Sequence, residues 1–210
     1  MRNFAIDGKS ISVFSAVQTE APIIYLNTFA NEGQRVFEVA QVVGCPPFSL
    51  VAISSLDWNR DMAPWDSPAA FKKGEPFTGG ADDYLRLLVE EIIQEAEKEL
   101  LGPPAWRGIA GYSLAGLFAL CAVYQTDVFS QVGCMSGSLW FPGFKEYVFF
   151  HDLRHTFATV ALQSGVDVKT VSAMLGHYDA GFTLRTYTHT NRRMQEKAAE
   201  KMGNFMAQVL

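Results

Sequence analysis

Ser113 is the residue whose surroundings point most directly to chemistry. It stands in Trp106-Arg107-Gly108-Ile109-Ala110-Gly111-Tyr112-Ser113-Leu114-Ala115-Gly116, an apolar β-type run that passes through a G-x-S-x-x-G spacing, close to G-x-S-x-G but with Ala115 at its second glycine position, into a helical pattern. At such a strand-to-helix turn the hydroxyl projects above the sheet, and Gly111 and Gly116 leave out side chains that would collide there. The backbone N–H of Leu114, at the helix N-terminus, is placed to stabilise an oxyanion. The plainer alternative is a glycine-flanked serine that caps a helix. A serine hydroxyl is a poor nucleophile without an adjacent base. All four histidines (His151, His155, His177, His189) lie beyond position 150, and residues 1–150 hold none.

The elements that must position this serine alternate in type. Apolar, β-rich runs occur at Ile11–Val17, Pro22–Leu26, Ser49–Ser54, Trp106–Ala110 and Gln131–Met135. Helical patterns lie between them. Glu32–Val43 puts Val36, Val39, Ala40 and Val43 on one stripe, and Asp82–Leu100 puts Leu85, Leu88, Ile92, Ala96 and Leu100 on one face. Asp82 or Asp83 is the predicted cap of the second helix, and Gly102-Pro103-Pro104 its stop. Leu114–Tyr124 is a third, apolar helix. Such alternation predicts an α/β fold with a mostly parallel sheet covered on both faces. Asp57–Gly80, rich in Pro, Gly and Trp, reads as a long rim loop that gives the site an aromatic border.

Composition divides the chain. Residues 1–150 carry 10 Lys+Arg and 17 Asp+Glu, net −7, and residues 151–210 carry 7 and 5, net +2; together they make the overall −5. All four tryptophans and all three cysteines fall in the first part. After 150 the β signal stops. Leu153–Ser164 and Val168–Leu175 read as helices ended by Gly165 and Gly176, Asp167 caps the second, and Arg192–Val209 is a final amphipathic helix. The expected organisation is a domain at 1–149 and an all-α segment at 150–210. No run reaches the roughly 18 apolar residues of a membrane span. The start, Met1-Arg2-Asn3-Phe4, lacks a secretory pattern, so a cytoplasmic protein is expected. Cys45, Cys121 and Cys134 form no CxxC pair, and the sequence calls for neither a metal nor a cofactor.

Pro22–Asn27, the loop Asp57-Trp58-Asn59-Arg60-Asp61-Met62-Ala63-Pro64-Trp65, Gly79-Gly80-Ala81-Asp82, the serine elbow and Ser136-Gly137-Ser138-Leu139-Trp140 together resemble a family of α/β-hydrolases, the esterase D and enterochelin esterase-like enzymes. The resemblance covers about residues 10–148. It implies Ser113 as nucleophile, the N–H groups of Leu114 and of a residue near Phe29 as oxyanion donors, and a small-molecule carboxylic ester as substrate. The departure from the pattern is large. The family's acid and histidine should follow two further strands beyond Met135, in the order Ser, Asp or Glu, His. No such strands are readable, which implies an incomplete triad and activity that is weak or lost.

The tail is similar to another family. His151-Asp152-Leu153-Arg154-His155-Thr156-Phe157-Ala158-Thr159, then Ser164-Gly165-Val166-Asp167-Val168-Lys169-Thr170-Val171, Leu175-Gly176-His177 and Thr183-Leu184-Arg185-Thr186-Tyr187 resemble the catalytic C-terminus of tyrosine recombinases of the phage integrase family. By that resemblance His151 and Arg154 would contact the scissile phosphate, His177 would support the transition state, and Tyr187 would attack phosphorus. At i and i+3, His151 and Arg154 share one face of a helix start and offer two donors to a phosphate. The family's upstream arginine and lysine have no counterpart, because hydrolase-like sequence occupies their place. A net +2 beside an acidic domain is a weak attractant for DNA.

The chain therefore reads as a fusion of a truncated α/β-hydrolase and a small all-α tail of integrase C-terminal type. Three functions compete: an esterase-like protein with reduced or no activity, a DNA-integration protein using Tyr187, and an inactive assembly module. The hydrolase sheet would end on the Gln131–Met135 strand, and that open edge predicts self-association or cover by the tail, with the C-terminal helix as a second association surface.

Overall fold

In the computed structural model, residues 1–70, 74–175, 181 and 183 are described. The chain divides into two compact units, Met1–Pro142 and Gly143–Leu210. The change in composition after residue 150 falls a little beyond this division, inside a helix.

The first unit opens on a hairpin of β1 (Arg2–Ile6) and β2 (Lys9–Phe14), followed by β3 (Ile23–Asn27), α1 (Gly33–Val42) and β4 (Ser49–Ser54). Next come a short α2 (Trp58–Asp61), a two-residue pair β5 (Asp66–Ser67) and β6 (Phe77–Thr78), and α3 (Ala81–Leu87). α3 continues through a π-helical turn, Leu88–Ile92, into α4 (Ile93–Ala96) and a 3-10 turn, Glu97–Glu99. β7 (Arg107–Tyr112), α5 (Leu114–Gln125) and β8 (Gln131–Met135) complete it. The six-stranded sheet has the order β1-β2-β4-β3-β7-β8, with β3, β4, β7 and β8 parallel and β1 and β2 antiparallel.

The sheet is parallel where its strands are apolar on both faces. Every residue of β4, Ser-Leu-Val-Ala-Ile-Ser, is buried, as covering by helices on both faces requires. Ile23, Tyr25, Val51, Ile53 and Ile109 are at most 1% exposed, and Leu117, Phe118 and Ala119 of α5 pack into the same interior. A buried tyrosine needs a partner: Tyr25 donates to Glu97 at 2.8 Å, and Glu97 takes two bonds from the Arg107 guanidinium at 2.7 Å. This ties the end of the long helix to the start of β7. Burial, then the Glu97 charge, push the Tyr25 hydroxyl far above its ordinary range.

Several expectations shift. β1 is an additional strand. Asp82 and Asp83 do not cap α3: the helix starts behind Gly80 with no side-chain cap, and the two carboxylates instead bind Gln125 and the arginines Arg60 and Arg86. The Asp57–Gly80 stretch is not bare loop, since it carries α2, β5 and β6.

In the second unit α6 (Phe144–Gln163) starts at Gly143, which holds φ +84°, well ahead of the expected Leu153. α6 stops at Ser164 and Gly165, the latter at φ +90°, and α7 (Val168–Leu175) follows. Asp167 caps α7 as expected, accepting from Thr170 N–H at 3.0 Å and from the Thr170 hydroxyl. Those bonds hold its carboxyl below the ordinary carboxylate range. Ala158 and Leu162 pack against Val171 and Leu175. No helix among the described residues is long and apolar enough to cross a membrane.

Candidate active site

β7 delivers Ser113 to a turn that few residue types tolerate. Ser113 has φ +55° and ψ −122°, a left-handed conformation that is costly for a residue with a side chain. The turn is held from both sides. The Ser113 carbonyl accepts from Gly116 N–H at 3.1 Å and Leu117 N–H at 3.2 Å, and Ser113 N–H donates to the Met135 carbonyl at 3.0 Å. α5 leaves the turn so steeply that a Cβ on Gly111 would stand 2.5 Å from the Ala115 carbonyl carbon. One on Gly116 would meet Gly111 O at 3.0 Å and Gly137 Cα at 3.1 Å. Both glycines are thus required by close approach, as their places on either side of Ser113 predict.

Ser113 opens onto a pocket of about 220 Å³ lined by Trp58, Asn59, Glu75, Phe77, Leu114, Ser138 and Trp140 among others. Leu114, the first residue of α5, stands beside the serine with its N–H at a helix N-terminus, the geometry an oxyanion donor needs. Phe29 follows β3 and is 61% exposed. Its ring meets Trp58 edge-on at 5.1 Å, and Trp58 meets Tyr112 at 5.9 Å, so an aromatic stack runs from the β3 turn to the elbow. Trp65, expected on the same rim, turns away: its indole N–H donates to the Pro142 carbonyl at 2.8 Å and its ring packs on Phe141.

The loop that carries Trp58 is fixed by buried charge. Asp61, with no exposed surface, accepts from Lys9 Nζ at 3.1 Å, Arg60 at 3.2 Å and Asp57 N–H at 3.0 Å. The Lys9 ammonium lies 5.6 Å from the Tyr84 ring centre. The Tyr84 hydroxyl bonds Asn27 Oδ1, next to Gly111 in the sheet register. Burial, then the Asp61 charge, keep that hydroxyl protonated far above the ordinary tyrosine range.

The sequence points to Ser113, Leu114 and Trp58 at this site and gives Ser138 no role of its own. Ser138 is 3% exposed, and its Oγ lies 3.3 Å from Ser113 Oγ. The only earlier signal was its place in the Ser136-Gly137-Ser138-Leu139-Trp140 motif. Among the described residues, no histidine lines the pocket. Of the tail set, His151 and Arg154 lie three residues apart within α6, in its interior rather than at its start. His177 and Tyr187 lie outside the described residues.

Comparison with known proteins separates the two parts. Residues 135–194 match the phage integrase family. The XerC-like tyrosine recombinase of Caldanaerobacter subterraneus is 40% identical over 55 residues, 26% of this chain and 14% of its own length. Among solved structures, the BES protein from Bacillus cereus superposes with a TM-score of 0.58 at 18% identity, over 74% of this chain and 70% of that one. An IroE-like serine hydrolase from Shewanella oneidensis gives 0.57 at 23% identity, over 70% and 51%. The chain thus spans a small part of the recombinase and about half of the hydrolase. The integrase match begins at Met135, the last residue of β8, ahead of both the division between units and the change in composition. The chain joins an N-terminal α/β-hydrolase fold to a segment that matches the phage integrase family.

Proposed function

We propose that the N-terminal domain is a serine carboxylic-ester hydrolase-like domain in which Ser113 is the nucleophile and the triad is incomplete, so that turnover is weak or lost. The observation that carries this is the backbone of Ser113. A strained left-handed serine, flanked by two sterically required glycines and opening on a pocket beside a helix N-terminus, is the arrangement acyl transfer needs. Leu114 N–H and a donor near Phe29 would bind the developing oxyanion. The aromatic lining favours an ester with a flat or apolar group. Residues 1–150 supply no histidine. Loss of a triad base lowers turnover by several orders of magnitude, while binding and oxyanion effects remain. A fluorophosphonate probe should label the wild-type chain and leave Ser113→Ala unlabelled. Absence of wild-type labelling contradicts the reading.

The match over 135–194 favours a second function for the tail, DNA integration chemistry through Tyr187 with His151, Arg154 and His177 around the phosphate. Incubation with nicked half-site DNA at low salt should then trap a covalent adduct that Tyr187→Phe abolishes. No adduct at low salt, where phosphate attraction is greatest, counts against it. If both assays are negative, the remaining function is assembly. For that role the sheet offers β8, an edge strand among the described residues with Val132 and Met135 both over 40% exposed and no charge or proline along Gln131–Met135.

A further inference from the structure

The turn after β8 brings a second hydroxyl to the elbow. Ser113 N–H donates to the Met135 carbonyl at 3.0 Å and Ser138 N–H donates to the Ser113 carbonyl at 2.9 Å, so the turn is bound to both ends of the serine's own backbone. The turn is also tight. Ser136 takes φ +47°, and a Cβ on Gly137 would stand 2.3 Å from Cys134 Sγ. What this conformation achieves is the burial of the Ser138 hydroxyl 3.3 Å from Ser113 Oγ, with both residues lining one pocket.

Resting on the reading of Ser113 as nucleophile, we infer that Ser138 is a positioning residue for it. Its hydroxyl accepts the hydrogen bond of Ser113 and fixes the rotamer that turns a lone pair of Ser113 Oγ toward the pocket. A separation of 3.3 Å is long for a bond between hydroxyls, and such bonds tighten once a reactant is bound. Ser138 orients and does not act as the base, because a serine hydroxyl is too weakly basic to take the proton.

The rate of phosphonylation by a fluorophosphonate tests this by reading the residual, slow reactivity that oxyanion and binding effects leave to Ser113. The Ser113 Oγ–P bond forms, the P–F bond breaks, fluoride leaves and the serine proton passes to water. Full-length wild type, Ser138→Ala and Ser138→Thr are compared, each with its thermal melting curve. The expected result is a labelling rate at least about tenfold lower in S138A, the size of effect a small misplacement of a reacting group produces, with rescue by S138T to within about threefold of wild type. Equal rates in S138A and wild type overturn the inference. So does an S138T rate as low as that of S138A when both melt like wild type, since the hydroxyl is then not what matters. Should either variant fail to fold, Ser138→Cys replaces it: a rate between those extremes is expected, and a wild-type rate overturns the inference. No labelling of wild type overturns the nucleophile reading itself, and the inference with it.

Discussion

Ser113 sits in a conformation that glycine adopts freely and serine does not, and this makes its strain measurable. Ser113→Gly is expected to abolish probe labelling while raising stability by about 1 kcal/mol, the strain released less the chain entropy a glycine adds. Urea unfolding checks this, and a loss of stability would mean that the backbone at 113 is relaxed. Gly111→Ala is expected to do the opposite. Its methyl would press on the Ala115 backbone at 2.5 Å and cost about 1–3 kcal/mol. A third residue gives a pH prediction. Cys121 is 1% exposed, and burial, then the Asp82 charge, push its thiol up to about 12. It stays a neutral thiol at pH 8 and should resist iodoacetamide in the folded chain, while the exposed Cys45 is modified. Alkylation of Cys121 before unfolding would contradict this. The elbow was legible in the sequence because its geometry is local: the six residues Gly111–Gly116 carry both the turn and the glycines it needs. Ser138 was not, since it meets Ser113 only through the pairing of β7 with β8 and the turn that follows.

At the scale of elements, the buried ion pair decides where the pocket wall stands. Asp61 fastens α2, and with it Trp58, to Lys9 on β2. Asp61→Ala leaves the Lys9 ammonium largely buried without its partner, and is expected to cost about 3–5 kcal/mol. A urea midpoint close to wild type would show that the pair carries little of the loop's stability. The apolar positions of β2, β3, β4, β7 and β8, and of the three longest helical runs of the first unit, repeat at the period of each element and are therefore legible in the sequence. β1 was legible in principle: Asp7-Gly8 lies between two alternating runs, the signature of a tight hairpin, and both residues take positive φ. The early start of α6 was harder to read. Phe144, Tyr147, Phe149 and Phe150 are as common in strands as in helices, and the left-handed Gly143 that starts the helix carries no pattern of its own.

For the whole molecule, the β8 edge, unpaired among the described residues, predicts concentration-dependent self-association that Val132→Lys weakens, since charge on an edge opposes strand pairing. Sedimentation velocity measures it, and a monomer at every concentration would contradict it. The two-part character was legible because charge, histidine, tryptophan and cysteine all change near position 150, though pooled composition hides it. The first part is proposed to retain a reactive serine although residues 1–150 hold no histidine to serve as its base. Peptide mapping of the intact chain after fluorophosphonate treatment tests it most directly. One adduct is expected, on the peptide containing Ser113; an unmodified Ser113 peptide, or an adduct on another residue, would overturn it.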